Sequence, residues 1–245
     1  MHVIAVDWSG RTDARQAESL WLAEVSDGRL VDLRNGRRRG EVMAHLEEAA
    51  ERHGEVVAGL DFAFSLPAWW MREQGIDNVR ELWRIAPALL RDSPEPFWGA
   101  PGSKALAAER RFRRTERDLR AKSVFQLAGP GAVGIGSLRG MPLLLELHGL
   151  SIWPFDPPAA ARVVEIYPRA LTGRVNKGRW SARHEYLQTH LADQDPVLLE
   201  RAAGSEDAFD AAVSALVMAA HSDELATLPP AADATERLEG RIWLP

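Results

Sequence analysis

Three apolar segments of this chain carry an acid at or near their end. Asp7 ends "VIAVD", Asp61 follows "EVVAGL", and Glu165 sits in "ARVVEIYP". A fourth stretch, "SEDAFDAAVSALVMAA", has a stripe of Phe209, Val213, Leu216, Val217 and Ala220. Asp207 and Asp210 share one face of it by their i, i+3 spacing, and Asp210 lies beside the stripe. A buried, unpaired carboxylate costs several kcal/mol, so buried acids are paired or bound to metal. Acids brought together repel and hold their protons more tightly. A divalent cation resolves that conflict. Mg²⁺ or Mn²⁺ takes oxygen ligands, and two such ions can clamp the attacking and leaving oxygens of a phosphodiester. Taken singly, each acid also has a plainer use. Asp7 can cap a turn through Ser9-Gly10, and Asp61 the loop after it. Glu165 can pair with Arg162 or Arg169. Asp207 suits the first turn of a helix capped by Ser205.

The elements that must position these acids follow from hydrophobic period. Residues 2–7 read as a strand buried on both faces. Two short strands, 21–25 and 30–33, flank Asp27-Gly28 as a hairpin. A helix over 40–53 precedes the strand that carries Asp61. Pro67 opens a helix through Trp69 and Trp70, and another spans 77–91. The Pro- and Gly-rich 92–104 is loop, and the charged 109–122 reads as helical. The third strand, around 162–167, is followed by helices near 181–192, 196–203 and 205–221, and "EGRIWLP" by a short strand. This order predicts a single α/β domain over 1–245: a mixed sheet flanked by helices, with a Pro/Gly- and Arg-rich insertion at 92–160.

Composition limits the partners. The 245 residues carry a net charge of -5 and a pI of about 5.8, so no global field favours nucleic acid. Binding to it would rest on a local patch. Arg110, Arg111, Arg113 and Arg114, continued by Arg117, Arg120 and Lys122, suit phosphate contacts or a solvated helix face paired with Glu109, Glu116 and Asp118. Arg37-Arg38-Arg39 reads as loop surface. There are no cysteines, which excludes disulfides, thiolate metal sites and a Cys nucleophile. No membrane-length apolar run or signal pattern is present, so a cytoplasmic protein is expected. The seven histidines are scattered, without H-E-x-x-H. Gly129, Gly131 and Gly134 match G-x-G-x-x-G. However, Gly136, Gly140 and Pro142 follow where a helix should run, so the stretch is expected to be a loop packed on the sheet or near substrate. Trp69-Trp70 reads as core, with base stacking as the functional use.

The segments "VIAVDWSG", "VVAGLDFAFSLP", "FRRTE", "KSVFQLAGPGAVGIGSLRGMPLL", "IWPFD", "VVEIYPRALTG" and "SEDAFDAAVSALVMA" resemble, in that order, the DUF429 family of nuclease-like proteins with a ribonuclease H-like fold. The resemblance implies Asp7 on the first strand, Asp61 on the fourth, and the helix at 205–221 laid against them. "DAFDA" is similar to the acidic helix of Holliday-junction resolvases, which implies metal roles for Asp207 and Asp210. Glu165 matches the family's own E-x-Y-P. The implied activity is Mg²⁺- or Mn²⁺-dependent hydrolysis of nucleic acid. In that reading Asp7 bridges two cations, Asp61 and Asp210 hold one each, and Lys177 or Lys104 meets the developing charge. "VDWSGRTD" is also similar to the first phosphate loop of actin-like ATPases and sugar kinases. A nucleotide-binding phosphotransferase is therefore the alternative, with a non-catalytic module of the same fold as the third.

Overall fold

The computed structural model describes residues 1–13, 15–99, 107, 110–129 and 131–245. One six-stranded sheet organises them. Its strands are β1 (His2–Asp7), β2 (Trp21–Ser26), β3 (Arg29–Arg34), β4 (Val56–Leu60), β5 (Ser151–Ile152) and β6 (Arg162–Glu165), in the order β3-β2-β1-β4-β6-β5. The first three are antiparallel neighbours; β4 joins β1 in parallel, and β6 and β5 continue in parallel. The β2–β3 turn has positive φ at both Asp27 (49°) and Gly28 (74°). That is the backbone a tight two-residue hairpin requires.

The helices are α1 (Arg39–His53), α2 (Ala68–Glu73), α3 (Val79–Asp92), α4 (Arg114–Leu119), α5 (Gly134–Gly140), α6 (Pro168–Thr172), α7 (Trp180–His190), α8 (Pro196–Ala203), α9 (Glu206–Ala220), α10 (Ser222–Ala226) and α11 (Glu236–Glu239). They cover both faces. Successive strand residues point to opposite sides. Ile4, Val6, Ala58 and Leu60 therefore pack with α1, α3 and residues 124–147, while Val3, Ala5 and Val57 pack with α7, α8 and α9. Burial on both sides explains why the central strands read as unbroken apolar runs.

Two local expectations are revised. The charged run predicted as a helix over 109–122 is helical only at Arg114–Leu119. Arg113 is extended before it (ψ 162°) and Arg120 ends it at φ 53°. The Gly-rich stretch predicted as loop contains α5. A Cβ on Gly140 would stand 2.6 Å from the Phe62 ring, so this glycine serves close helix packing rather than loop freedom. Pro142 falls at the start of a 3-10 turn, Met141–Glu146, where its missing N–H costs no bond. Residues 92–160, expected as an insertion, supply strand β5 and the core side chains Phe125, Leu138, Met141 and Leu144. The C-terminal segment joins the sheet edge through one parallel bridge, Glu165 to Ile242. Among the described residues no helix is long and apolar enough to cross a membrane.

Candidate functional site

Register brings two of the acids together. Val3 pairs with Val57 and Ala5 with Gly59. The Asp61 amide then donates to the Val6 carbonyl at 3.1 Å. Asp7 and Asp61 are the next matched positions, and by alternation both fall on the face covered by α9. That helix approaches β4 closely at Gly59, where a Cβ would lie 2.6 Å from Met218 Sδ and 2.8 Å from Ile166 Cγ2. Ser205 caps α9, its hydroxyl accepting from the Ala208 amide at 3.0 Å. Asp207 stands in the first turn, and Asp210, one turn in, is only 9% exposed. Lys177, on the segment between α6 and α7, donates to Asp210 Oδ2 at 2.5 Å. Arg183 of α7 holds the Lys177 carbonyl and so fixes that segment.

The four aspartates sense one another. Burial, then the charges of Asp61, Asp207 and Asp210, push the Asp7 carboxyl well above its usual range against the pull of Lys177. Burial and Asp210 lead in raising Asp61 to about 8; Lys177 opposes them, and Glu165 and Asp207 add to them. Asp210 is raised by burial although Lys177 pulls it down, and Asp207 is raised by burial and by Glu206. A single lysine does not balance this group, so at neutral pH the cluster retains a proton. Asp210 Oδ1 is buried and lacks a hydrogen-bond partner.

The donor chemistry, all carboxylate oxygen, fits a hard divalent cation. Its arrangement is open: among the described residues no three His, Asp or Glu side chains are gathered as a ready metal cage. The Lys177 ammonium is the positive charge at this place.

Glu165 does not join the cluster. Gly59 pairs with Val164 and Leu60 with Glu165, so Glu165 is matched with Leu60, and its carboxylate is taken by other partners. It accepts from Arg113 Nη1 (2.8 Å) and Nη2 (2.5 Å) and from the Phe64 amide (3.0 Å). Arg113 is 1% exposed and also bonds Glu116 and the Glu239 carbonyl. The expectation of Glu165 as a catalytic acid and Arg113 as a nucleic-acid contact is corrected: each is the other's internal partner, instead of Arg162 or Arg169 for Glu165. The rest of the basic run is dispersed. Arg110 lies 3.7 Å over the Trp69 ring and pairs with Glu73, Arg114 pairs with Asp233, and Arg111 lies 5.7 Å from the Trp98 ring. Trp69 thus has its face covered by Arg110, and Trp70 is core. Lys104 and Glu109 lie outside the described residues.

Sequence reasoning missed Arg39 and Arg139. Arg39, read as loop surface, begins α1 and is 7% exposed. Both lie near a cavity of about 440 Å³ whose lining includes Trp8, Gly10, Arg11, Asp61, Gly136 and Arg139. The only sequence signal was an arginine beside glycines. At the start of β1, far along the strand from Asp7, His2 and His45 both bond Glu24, at 2.9 and 2.8 Å. The chain has no match among known family models, curated proteins or solved structures.

Proposed function

We propose that this chain hydrolyses phosphodiesters of nucleic acid with Mg²⁺ or Mn²⁺, as a member of the DUF429 family with a ribonuclease H-like fold. The observation that carries the reading is that Asp7, Asp61 and Asp210, with Asp207, raise one another's proton affinity with Lys177 opposing them. The sheet supports it: an antiparallel β3-β2-β1 hairpin unit extended in parallel by β4 and β6 suits that fold. So does the position of the acids, outside the carboxyl ends of parallel strands, where open α/β sheets place their ligands.

Asp7, Asp61 and Asp210 would hold the cation, which supplies an activated water and charge for the departing 3′ oxygen. The chain's own contribution is electrostatic. Burial keeps the acids poorly hydrated, so they release their shared proton when positive charge arrives. Asp210 offers its unpartnered Oδ1 while Oδ2 stays with Lys177. Lys177, fixed through Arg183, holds a positive charge beside Asp210.

The test is Mn²⁺ calorimetry in two buffers of different protonation enthalpy, on wild type and Asp7→Asn, followed by cleavage assays on branched, single-stranded and hybrid substrates. Binding with proton release, lost together with cleavage in the variant, is expected. Absence of Mn²⁺ binding by the wild type, with oligonucleotide present, refutes the reading. ATP binding in the same cell would then favour the phosphotransferase.

A further inference from the structure

Arg39 and Arg139 have an electrostatic arrangement that the acid cluster does not explain. Arg39 donates through Nη1 and Nη2 to a single acceptor, the Arg11 carbonyl, at 2.8 and 2.7 Å. Arg139 donates to the Gly10 carbonyl. Among the described residues neither guanidinium has a carboxylate partner. They are close enough that Arg139, after burial, weakens Arg39's hold on its proton. Arg11 is already matched, through Nε and Nη2, by Asp13 at 3.1 and 2.6 Å. Arg39 is buried and Arg139 half-buried, and like charges drawn out of water without a counterion are costly.

These charges border the cavity beside Asp61. One wall is Trp8, 8% exposed, its indole N–H donating to the Gly136 carbonyl at 3.2 Å. The rest mixes apolar side chains, Leu127, Val133 and Ile135, with glycine backbone at Gly10 and Gly136. Gly10 and Gly136 pack so closely that a Cβ on Gly10 would lie 2.9 Å from the Gly136 nitrogen. At Gly10 and Gly136 no side chain stands between the cavity and the main chain, so an anion can approach the backbone there. Arg139 and Arg11 line the cavity, and Arg39 holds the Arg11 carbonyl.

We infer that this cavity is a phosphate subsite, in which Arg139, reinforced by Arg39, takes a phosphate ester of a nucleotide and seats it beside Asp61. The planar guanidinium fork suits phosphate oxygens, and Arg139 keeps donors beyond the one spent on Gly10. That the ligand is nucleotidic rests on the phosphodiester reading; the anion site rests on the arginines. The subsite accounts for the opening beside the first strand, which the metal reading leaves unused.

The test is calorimetry in EDTA, without metal, using inorganic phosphate, dTMP, and thymidine dinucleotide with and without a 5′-phosphate. Wild type, Arg139→Gln, Arg139→Lys and Asp7→Asn are compared. Wild type is expected to bind the phosphorylated ligands, Arg139→Gln about tenfold more weakly, as loss of one charge-assisted bond implies. Arg139→Lys should recover part of the loss, and Asp7→Asn should bind at least as well as wild type. Tighter binding of the 5′-phosphorylated dinucleotide than of dTMP identifies a strand as the ligand; equal binding identifies a mononucleotide. Arg139→Gln binding within twofold of wild type, or no binding by wild type, overturns the inference. Should Arg139→Gln fail to fold, phenylglyoxal labelling of the wild type decides: phosphate must protect Arg139, and unchanged labelling overturns the inference. Because no metal is present, failure here differs from failure of the Mn²⁺ and Asp7→Asn test.

Discussion

Asp61→Asn should stabilise the protein while removing its activity. In the native state Asp61 holds its proton up to about 8, against 3.8 ordinarily, because burial and Asp210 disfavour its charge. Between roughly pH 4 and 8 the folded chain therefore keeps a proton that the unfolded chain has lost. A raised carboxyl of this kind lowers stability as pH rises through that window. At about 1.4 kcal/mol per pH unit, the penalty approaches about 6 kcal/mol above pH 8. Asn keeps the shape without the charge, and Asp7 and Asp210 take up part of the relief, so a gain of about 2–4 kcal/mol at pH 9 is expected. Near pH 4, close to the ordinary value of 3.8, the unfolded chain still keeps part of the proton and the gain should shrink to less than about 1 kcal/mol. Urea unfolding in EDTA at pH 4, 7 and 9 measures this. Adding Mn²⁺ should stabilise wild type and shrink the difference, since a bound cation relieves the same repulsion. A variant no more stable than wild type at pH 9, or equally stabilised at pH 4, refutes the reasoning.

Two further substitutions test the frame around the site. Arg113→Met strands Glu165 and Glu116 without their buried partner and should cost about 3–5 kcal/mol in urea unfolding; Arg113→Lys should recover only part, because an ammonium cannot reproduce the fork. The exposed neighbour Arg114, changed to Ala, should cost less than about 1 kcal/mol, so equal effects would contradict the buried-pair assignment. Gly59→Ala should cost about 1–3 kcal/mol and weaken Mn²⁺ binding, because the new methyl pushes Met218, and with it α9 and Asp210, away from β4.

The site is thus held by two arrangements. On the α9 face, repelling carboxylates are kept close by packing around Gly59 and by one lysine. The Arg113 network ties α4, β6 and the C-terminal segment together at the same strand ends. The first arrangement spends stability on the chemistry proposed for it, and the second restores rigidity where those strands end.

Much of this was legible in the chain itself, because it depended on local signals. Apolar runs marked the central strands, Asp27-Gly28 marked the hairpin, and Ser205 marked the start of α9. The acids at strand ends and beside a helix's apolar stripe were visible as misfits in apolar surroundings. Which acids are left unpaired was not, because that depends on long-range contacts: Glu165 is claimed by Arg113, while Asp61 is left beside Asp210. Nor could a run of arginines show which one is buried, since that is decided by the carboxylate waiting in the fold, Glu165 for Arg113. Lys177's place beside Asp210, the helix made from Gly134–Gly140, and the facing of Arg39 and Arg139 have the same origin. Periodicity and residue chemistry act over a few neighbours and determined the elements. Charge balance and close packing act between segments a hundred residues apart, and only the tertiary structure decided them.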